Sequence, residues 1–417
     1  MTKEKKHEPL FHISKRMEIS SSKKWAIRIG SGVLAILVCG LVSTIFTGNF
    51  GGFFSSVFSG TFGTSLRRWT LLENLSILLC IALALTPAFK MKFWNIGAEG
   101  QVLIGCLFCA ICMFYIKNSI PEGLLLIICL LGSVLFGMIW AVIPALFKAK
   151  WNTNETLFTL MMNYVAMFLV TFFISAAVRS GSGVLGLQPY GHMPLIKIPG
   201  LNAAGQKYLL TIILVFALTA IMYVYLRYSK HGYELSVVGE SENTARYIGI
   251  NVKKVIIRTL LLSGAICGFA GWLLVTGARF TVSKDLVGGD GFTAILVAWL
   301  AHFNPIGMIV TAFLVIFLKQ GASQLVTDFK LGKDYLGDVI VGIFFLFIIG
   351  SEFFINYKIS LRKNNAKATD DSQTTTTPED SASSQIPSAE EPLSDAEPSS
   401  EDKNIPATTY SEEEVKG

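Results

Sequence analysis

Long apolar runs alternate along the chain with short polar segments. Ten runs read as helices, over residues 25–47, 70–89, 96–116, 124–146, 156–178, 207–227, 255–276, 290–303, 306–325 and 336–356. Most hold about 20 residues, the length that carries an α-helix across roughly 30 Å of hydrocarbon at about 1.5 Å per residue. The run 290–303 is too short to cross as a straight helix. The pattern therefore predicts an all-α polytopic membrane protein of about ten transmembrane helices. The longest soluble-looking passage between two apolar runs is ELSVVGESENTARYIGINVKK, Glu234 to Lys254.

Composition agrees with that reading and excludes a soluble domain, since 52% of the 417 residues are hydrophobic and only 15% are charged. The placement of Lys and Arg adds an orientation, because these residues are retained on the cytoplasmic side. Lys3, Lys5, Lys6, Lys15, Arg16, Lys23 and Lys24 precede the first run. Alternate loops then carry Lys90 and Lys92, Lys148 and Lys150, Arg227, Lys230, Lys253 and Lys254, and finally Lys358, Arg362 and Lys363. Arg67, Arg68 and Lys117 fall outside the alternation. Both termini are thus expected in the cytoplasm. Residues 1–24 read as a cytoplasmic leader without a cleavage site, so the first run is an anchor and not a removed signal. Residues 25–356 form the transmembrane domain. Residues 364–417 hold 13 of the 29 acidic residues among Ser, Thr and Pro, and read as a disordered acidic cytoplasmic tail. The body left behind is strongly basic, which fits anionic lipid headgroups at a bilayer surface and not nucleic acid.

Three apparent chemical motifs lose their meaning in context. Cys106, Cys109 and Cys112 copy an iron–sulfur spacing, but at i, i+3, i+6 of an apolar helix they form one packing face. Gly200 to Tyr208, GLNAAGQKY, approaches a phosphate-binding loop but lacks the Ser or Thr that would follow the lysine. His7, His12, His192, His231 and His302 are scattered without ligand spacing. No metal site, cofactor site or catalytic constellation is expected in this chain, and it reads as no enzyme.

Polar groups at membrane depth are costly unless paired or wetted, so they are functional candidates. NIGAEGQ places Asn95, Glu99 and Gln101 at the start of the third run, and GGDGFTA places Asp290 at the start of the eighth. Each sets one carboxylate between glycines. By the orientation above, Glu99 falls at the cytoplasmic end of its span and Asp290 at the external end, as an inverted repeat would have it. The plainer reading is that each acid favours a helix N-terminus. NETLFTLMMNYV adds Asn154, Glu155, Thr156 and, about two turns further on, Asn163.

NIGAEGQVLIG, NETLFTLMMNY, GYELSVVGESENTARYIGINV, LSGAICGFAGWL and GGDGFTAILVAWLAHFNPIG stand in this order between about residues 65 and 356. Together they resemble the permease subunit of bacterial ABC importers of the branched-chain amino acid, simple sugar and nucleoside group, and most of all its nucleoside branch. The resemblance implies a multi-pass protein of the bacterial cell membrane. It also implies partners: an ABC ATPase carrying ATP and magnesium, a second permease chain in a heterodimer, and an extracytoplasmic substrate-binding lipoprotein. It assigns residues 236–250 to ATPase coupling, through Gly239, Glu240, Ser241, Glu242, Asn243, Thr244, Ala245, Arg246, Ile248 and Gly249. In that segment Ser241 suits a helix cap, Glu240 and Glu242 its positive end, Arg246 its negative end and Gly249 a left-handed stop. Ala245 and Ile248 are expected to form the docking face. Asn95, Glu99, Gln101, Asn154, Glu155, Thr156, Asn163 and Asp290 are expected to line the translocation path. The alternatives are ABC import of sugars or amino acids, or a gradient-driven carrier using Glu99, Glu155 and Asp290 as its ion site.

Overall fold

The apolar runs fold into helices because in lipid every backbone N–H and C=O must find its partner within the chain. The computed structural model describes residues 11–16, 20–116, 119–178, 181–187, 191–200, 202–330 and 335–361. The expected acidic tail and the first ten residues of the leader lie outside them. Thirteen helices occur among the described residues: α1 (Ser21–Thr47), α2 (Phe50–Phe62), α3 (Ser65–Lys90), α4 (Ala98–Tyr115), α5 (Glu122–Trp151), α6 (Glu155–Ala177), α7 (Ala203–Tyr228), α8 (Lys230–Glu240), α9 (Glu242–Tyr247), α10 (Val252–Leu273), α11 (Asp290–Leu300), α12 (Pro305–Asp328) and α13 (Tyr335–Asn356). Residues Leu274–Arg279 continue α10 as a π-helix. Two short antiparallel pairs complete the description, β1 (Phe11–Lys15) with β4 (Tyr357–Leu361), and β2 (Val184–Gly186) with β3 (Thr281–Ser283).

Nine of these helices are long and apolar enough to cross a membrane. They correspond to nine of the ten runs. The tenth, α11, has 11 residues and rises only about 16 Å, so the run 290–303 is a half-length helix and not a span. It ends at His302 and Phe303, both left-handed at φ 49° and 58°. These two residues reverse the chain into α12, where Asn304 caps the first turn. The pattern of apolar runs did not foresee α2. It is a 13-residue helix of Phe, Gly and Ser, capped by Asn49, whose side chain accepts from Gly52 N at 3.1 Å.

The core is built around α3, whose residues from Leu75 to Phe89 are buried without a break. Close helix approach supplies much of the packing, as it does where lipid offers no hydrophobic drive. Gly264 and Gly268 of α10 leave no room for a methyl group against the α5 backbone at Gly137 and Ser133. A β-carbon on Gly105 of α4 would lie 2.9 Å from Gly268 Cα. Cys109 Sγ lies 2.9 Å from Ser133 Oγ, which itself donates to Gly105 O at 2.8 Å. Cys109 therefore serves α4–α5 packing, while Cys106 donates to Gly271 O of α10 at 3.4 Å. A second apolar cluster joins α1, α2, α12 and α13 through Ala35, Cys39, Phe53, Val57, Leu318, Leu325, Ile340 and Phe344.

Candidate functional site

Most helices here begin at a side chain that accepts a first-turn N–H, as Thr64, Asn154, Asn202, Ser229, Ser241, Asn251 and Asn304 do. Helices α4 and α11 start instead at glycines, Gly97 and Gly289, with no side-chain cap of their own. Their first-turn N–H groups are met from other segments, those of α4 by Asn163 of α6 and those of α11 by Glu99 of α4. Glu99, in the first turn of α4, accepts from Gly289 N at 3.0 Å through Oε1 and from Gly291 N at 2.8 Å through Oε2. The carboxylate thereby closes the start of α11, where a negative group also suits the helix dipole. Gly291 has no space for a side chain, since a β-carbon there would sit 2.7 Å from Glu99 N.

The two segments run antiparallel. Trp94, before α4, lies against Trp299 near the end of α11, the rings tilted with centroids 5.8 Å apart, while Glu99 meets the start of α11. The expected placement of Glu99 and Asp290 at opposite membrane ends is therefore corrected. Residues 93–97 enter the bundle as non-helical backbone before α4 begins, and residues 284–289 do the same before α11. The two helix starts consequently abut, an arrangement of discontinuous helices that is tolerated when protein groups satisfy the exposed backbone.

Those groups are other candidate residues together with Thr159 of α6, which the sequence pattern did not single out. Thr159 Oγ1 accepts from Ile96 N at 3.1 Å, Asn163 Nδ2 donates to Ile96 O at 2.9 Å, and Asn163 Oδ1 accepts from Gly100 N at 2.8 Å. Asn95 Oδ1 accepts from Gly97 N at 3.1 Å and from Gln101 Nε2 at 3.2 Å, while its Nδ2 donates to Ser263 Oγ on α10 at 3.1 Å. Asn95, Glu99, Gln101 and Asn163 are all buried. They are occupied in holding a broken helix and do not face an open path. Asn154 only caps α6 (Leu157 N at 3.2 Å), Glu155 pairs with Lys148 at 2.9 Å, and half-buried Thr156 gives its carbonyl to Thr159 Oγ1.

Asp290 pairs with Lys319 of α12 at 2.9 Å. The lysine escaped notice in the sequence because it follows the long apolar stretch that defines α12, yet a lone cation in that helix asks for a counter-charge. The single changes Asp290→Asn and Lys319→Met are expected to lower the thermal midpoint and uptake more than the double change. Each single leaves a half-buried charge uncompensated, at about 1–3 kcal/mol, and the double leaves none. Melting and uptake of the three variants at matched membrane abundance check this. A double variant worse than both singles would contradict it.

The segment 236–250 forms two helices and not one. Ser241 ends α8 and opens α9, accepting from Thr244 N at 3.2 Å as expected. Arg246 pairs with Glu242 at 3.1 Å, and Gly249 stops α9 at φ +84°. Ala245 is wholly buried against its own chain, with Ile250 N donating to its carbonyl at 2.9 Å. The expectation that Ala245 faces a partner is thus corrected: the turn after α9 folds it inward. Ile248 is half exposed and Tyr247, overlooked in the sequence, is 92% exposed.

Helix α8 is anchored by His231, which is buried. Burial first, and then the Arg258 guanidinium, hold its imidazole below the ordinary pKa. Its Nε2 lies 3.2 Å from Thr259 Oγ1 and its Nδ1 lies 2.7 Å from Tyr225 OH. Because Thr259 already donates to Val255 O at 2.7 Å, the neutral ring donates from Nε2 and accepts at Nδ1. One side chain so joins α7, α8 and α10.

At the opposite end of α7 from Ser229, a cleft of about 640 Å³ is lined by Glu122, His192, Lys207 and Phe280, among others. His192 stacks on Phe280 at 3.8 Å, and Lys207 Nζ lies 4.3 Å from the same ring. The π-helix places these groups: Thr276 O is free to accept from Met193 N at 2.9 Å, and Phe280 follows at φ 57°. Among the described residues no group of three or more His, Cys, Asp or Glu is placed to hold a metal ion.

Residues 68–349 match the family described as branched-chain amino acid transport system / permease component. The guanosine ABC transporter permease protein NupP of Bacillus subtilis is 29% identical over 272 residues, covering 64% of this chain and 77% of that protein. The glucose ABC transporter permease protein TsgB13 of Haloferax volcanii is 28% identical over 303 residues, covering 70% and 79%. The nucleoside ABC transporter permease protein NupB of Lactococcus lactis subsp. cremoris is 26% identical over 268 residues, covering 62% and 72%.

Proposed function

The chain belongs to the branched-chain amino acid transport system permease family, and from that premise we propose that it is the membrane subunit of an ATP-driven importer of nucleosides. As an ABC permease it is a transport protein and not an enzyme, working with ATPase and substrate-binding components. The finer reading pairs it with a second, different permease chain and an extracytoplasmic lipoprotein, in a bacterial cell membrane with both termini inside. ATP and magnesium then belong to the partner ATPase. The nucleoside assignment is supported by similarity to two permeases named for guanosine and nucleosides, while the glucose permease keeps simple sugars as the second reading.

One observation carries the transport mechanism: α8 and α9 project an exposed Tyr247 from one end of the bundle while two broken helices meet inside it. The first is a surface for an engine and the second a junction that can open. The gradient-driven alternative needs Glu99, Glu155 and Asp290 to share an ion. Instead, each has a different occupation: the α11 backbone, Lys148 and Lys319.

Uptake of labelled guanosine by cells carrying the complete transporter tests the proposal, with purine nucleosides, pyrimidine nucleosides, hexoses and branched-chain amino acids as competitors. Competition by nucleosides, abolished when the ATPase is disabled, is the expected result. Competition by hexoses alone would move the assignment to sugars. Uptake that survives loss of ATP hydrolysis would remove the ABC mechanism.

A further inference from the structure

Gly239 is the last buried residue of α8, on a face shared with His231, Gly232, Leu235 and Val238. A β-carbon on it would collide with the Lys90 carbonyl oxygen and lie 3.4 Å from Met91 Cα. Backbone therefore rests on backbone here, between α8 and the point where α3 gives way to the non-helical residues 93–97. At the other end of α8, His231 meets Thr259 Oγ1, and Thr259 Oγ1 is 3.8 Å from Met91 Sδ. Both ends of α8 thus bear on Met91.

The connection continues inward. Lys92 adopts φ 59°, and its N–H returns to Phe89 O at 2.9 Å, which closes α3 and turns the chain toward Asn95. Asn95 is held to Ser263, one turn beyond Thr259 on the same face of α10. Asn95 also binds Gly97 N and Gln101 Nε2 at the start of α4, and Glu99 there holds Gly289 and Gly291 of α11. From α8 to α11 every step is a hydrogen bond, a packed backbone contact or a short stretch of chain.

We propose that Gly239 is a positioning residue for transport, and that its close contact with Lys90 and Met91 passes movement of α8 to the Glu99 clasp on α11. This rests on the reading of α8–α9 as the ATPase-facing segment. A helix of 11 residues moves as one body, and packed interfaces switch between discrete arrangements more readily than they deform. A methyl group at Gly239 would lift α8 off Lys90 without touching the exposed surface at Tyr247.

The test uses the assembled transporter with the variants Gly239→Ala and Thr259→Val. Spin labels at Phe292→Cys on α11 and Val224→Cys on α7, both exposed, report the clasp, since all seven native cysteines are buried. In the parent the label distance is expected to shift on ATP binding. Gly239→Ala should keep the ATPase bound and hydrolysing, abolish the shift and reduce transport at least tenfold. Thr259→Val should give a smaller loss of the same kind, about threefold. Transport by Gly239→Ala within twofold of the parent overturns the proposal, as does a label shift that persists while transport is lost, or its absence in the parent. If Gly239→Ala does not assemble, Thr259→Val decides, and transport within twofold of the parent counts against the route. If Tyr247→Asp leaves the ATPase bound, the docking surface is misassigned, a failure separate from any of these.

Discussion

Replacing Glu99 with Ala is expected to remove transport and to lower the thermal midpoint of the complex, although Glu99 lies on no open path. The substitution strips the partner from two N–H groups at the start of α11, one of them on buried Gly291. Each unpaired buried donor costs about 1–3 kcal/mol, and bonds to a charged acceptor lie at the upper end. No other described side chain caps α11. The half-length helix then loses its fixed start, and with it the junction between the two broken helices. Glu99→Gln should be milder for stability, because the amide oxygen can still accept one of the two N–H groups, but its NH₂ faces the other N–H with nothing to donate to. Uptake and melting at matched abundance check both variants. Wild-type transport by Glu99→Ala would show that the clasp is dispensable.

The clasp also shows what sequence could and could not reveal. The nine spans were legible because length and hydropathy alone define them. The two acids stood out because each sits between glycines at the head of an apolar run, and both proved to lie at one junction. Their meeting was not legible, since the bonds that bring them to one junction tie Glu99 to Gly289 and Gly291, 190 and 192 residues away. Asn163 was noticed as a polar residue deep in α6, yet its role depends on Ile96 and Gly100, 67 and 63 residues away. Helix α2 was missed because its Gly and Ser dilute the apolar signal, although Gly60 and Gly321 are what let it lie against α12. Ala245 misled for a simpler reason. Two apolar residues three apart define a helix face, but only the packing of α9 beneath α8 and α10 decides which way that face turns.

That reversal sets apart two substitutions that looked interchangeable. Ala245→Asp places a carboxylate where there is no exposed surface, so reduced membrane abundance is expected from a fault in folding. Tyr247→Asp changes a residue that is 92% exposed and supports nothing in its own chain; insertion and melting should stay as in the parent. What it should remove is the partner. A large exposed aromatic side chain at the tip of a capped two-helix projection is the kind of anchor that dominates an interface, where truncation costs about 2 kcal/mol or more. Replacing it with a charge adds the cost of desolvating that carboxylate in the partner's groove. At least a thirtyfold weaker association, by about 1.4 kcal/mol per factor of ten, is enough to lose co-purification of the ATPase, and uptake should vanish with it. Tyr247→Phe keeps the ring and should retain most of both. Full co-purification and uptake by Tyr247→Asp would place the coupling surface elsewhere on the chain.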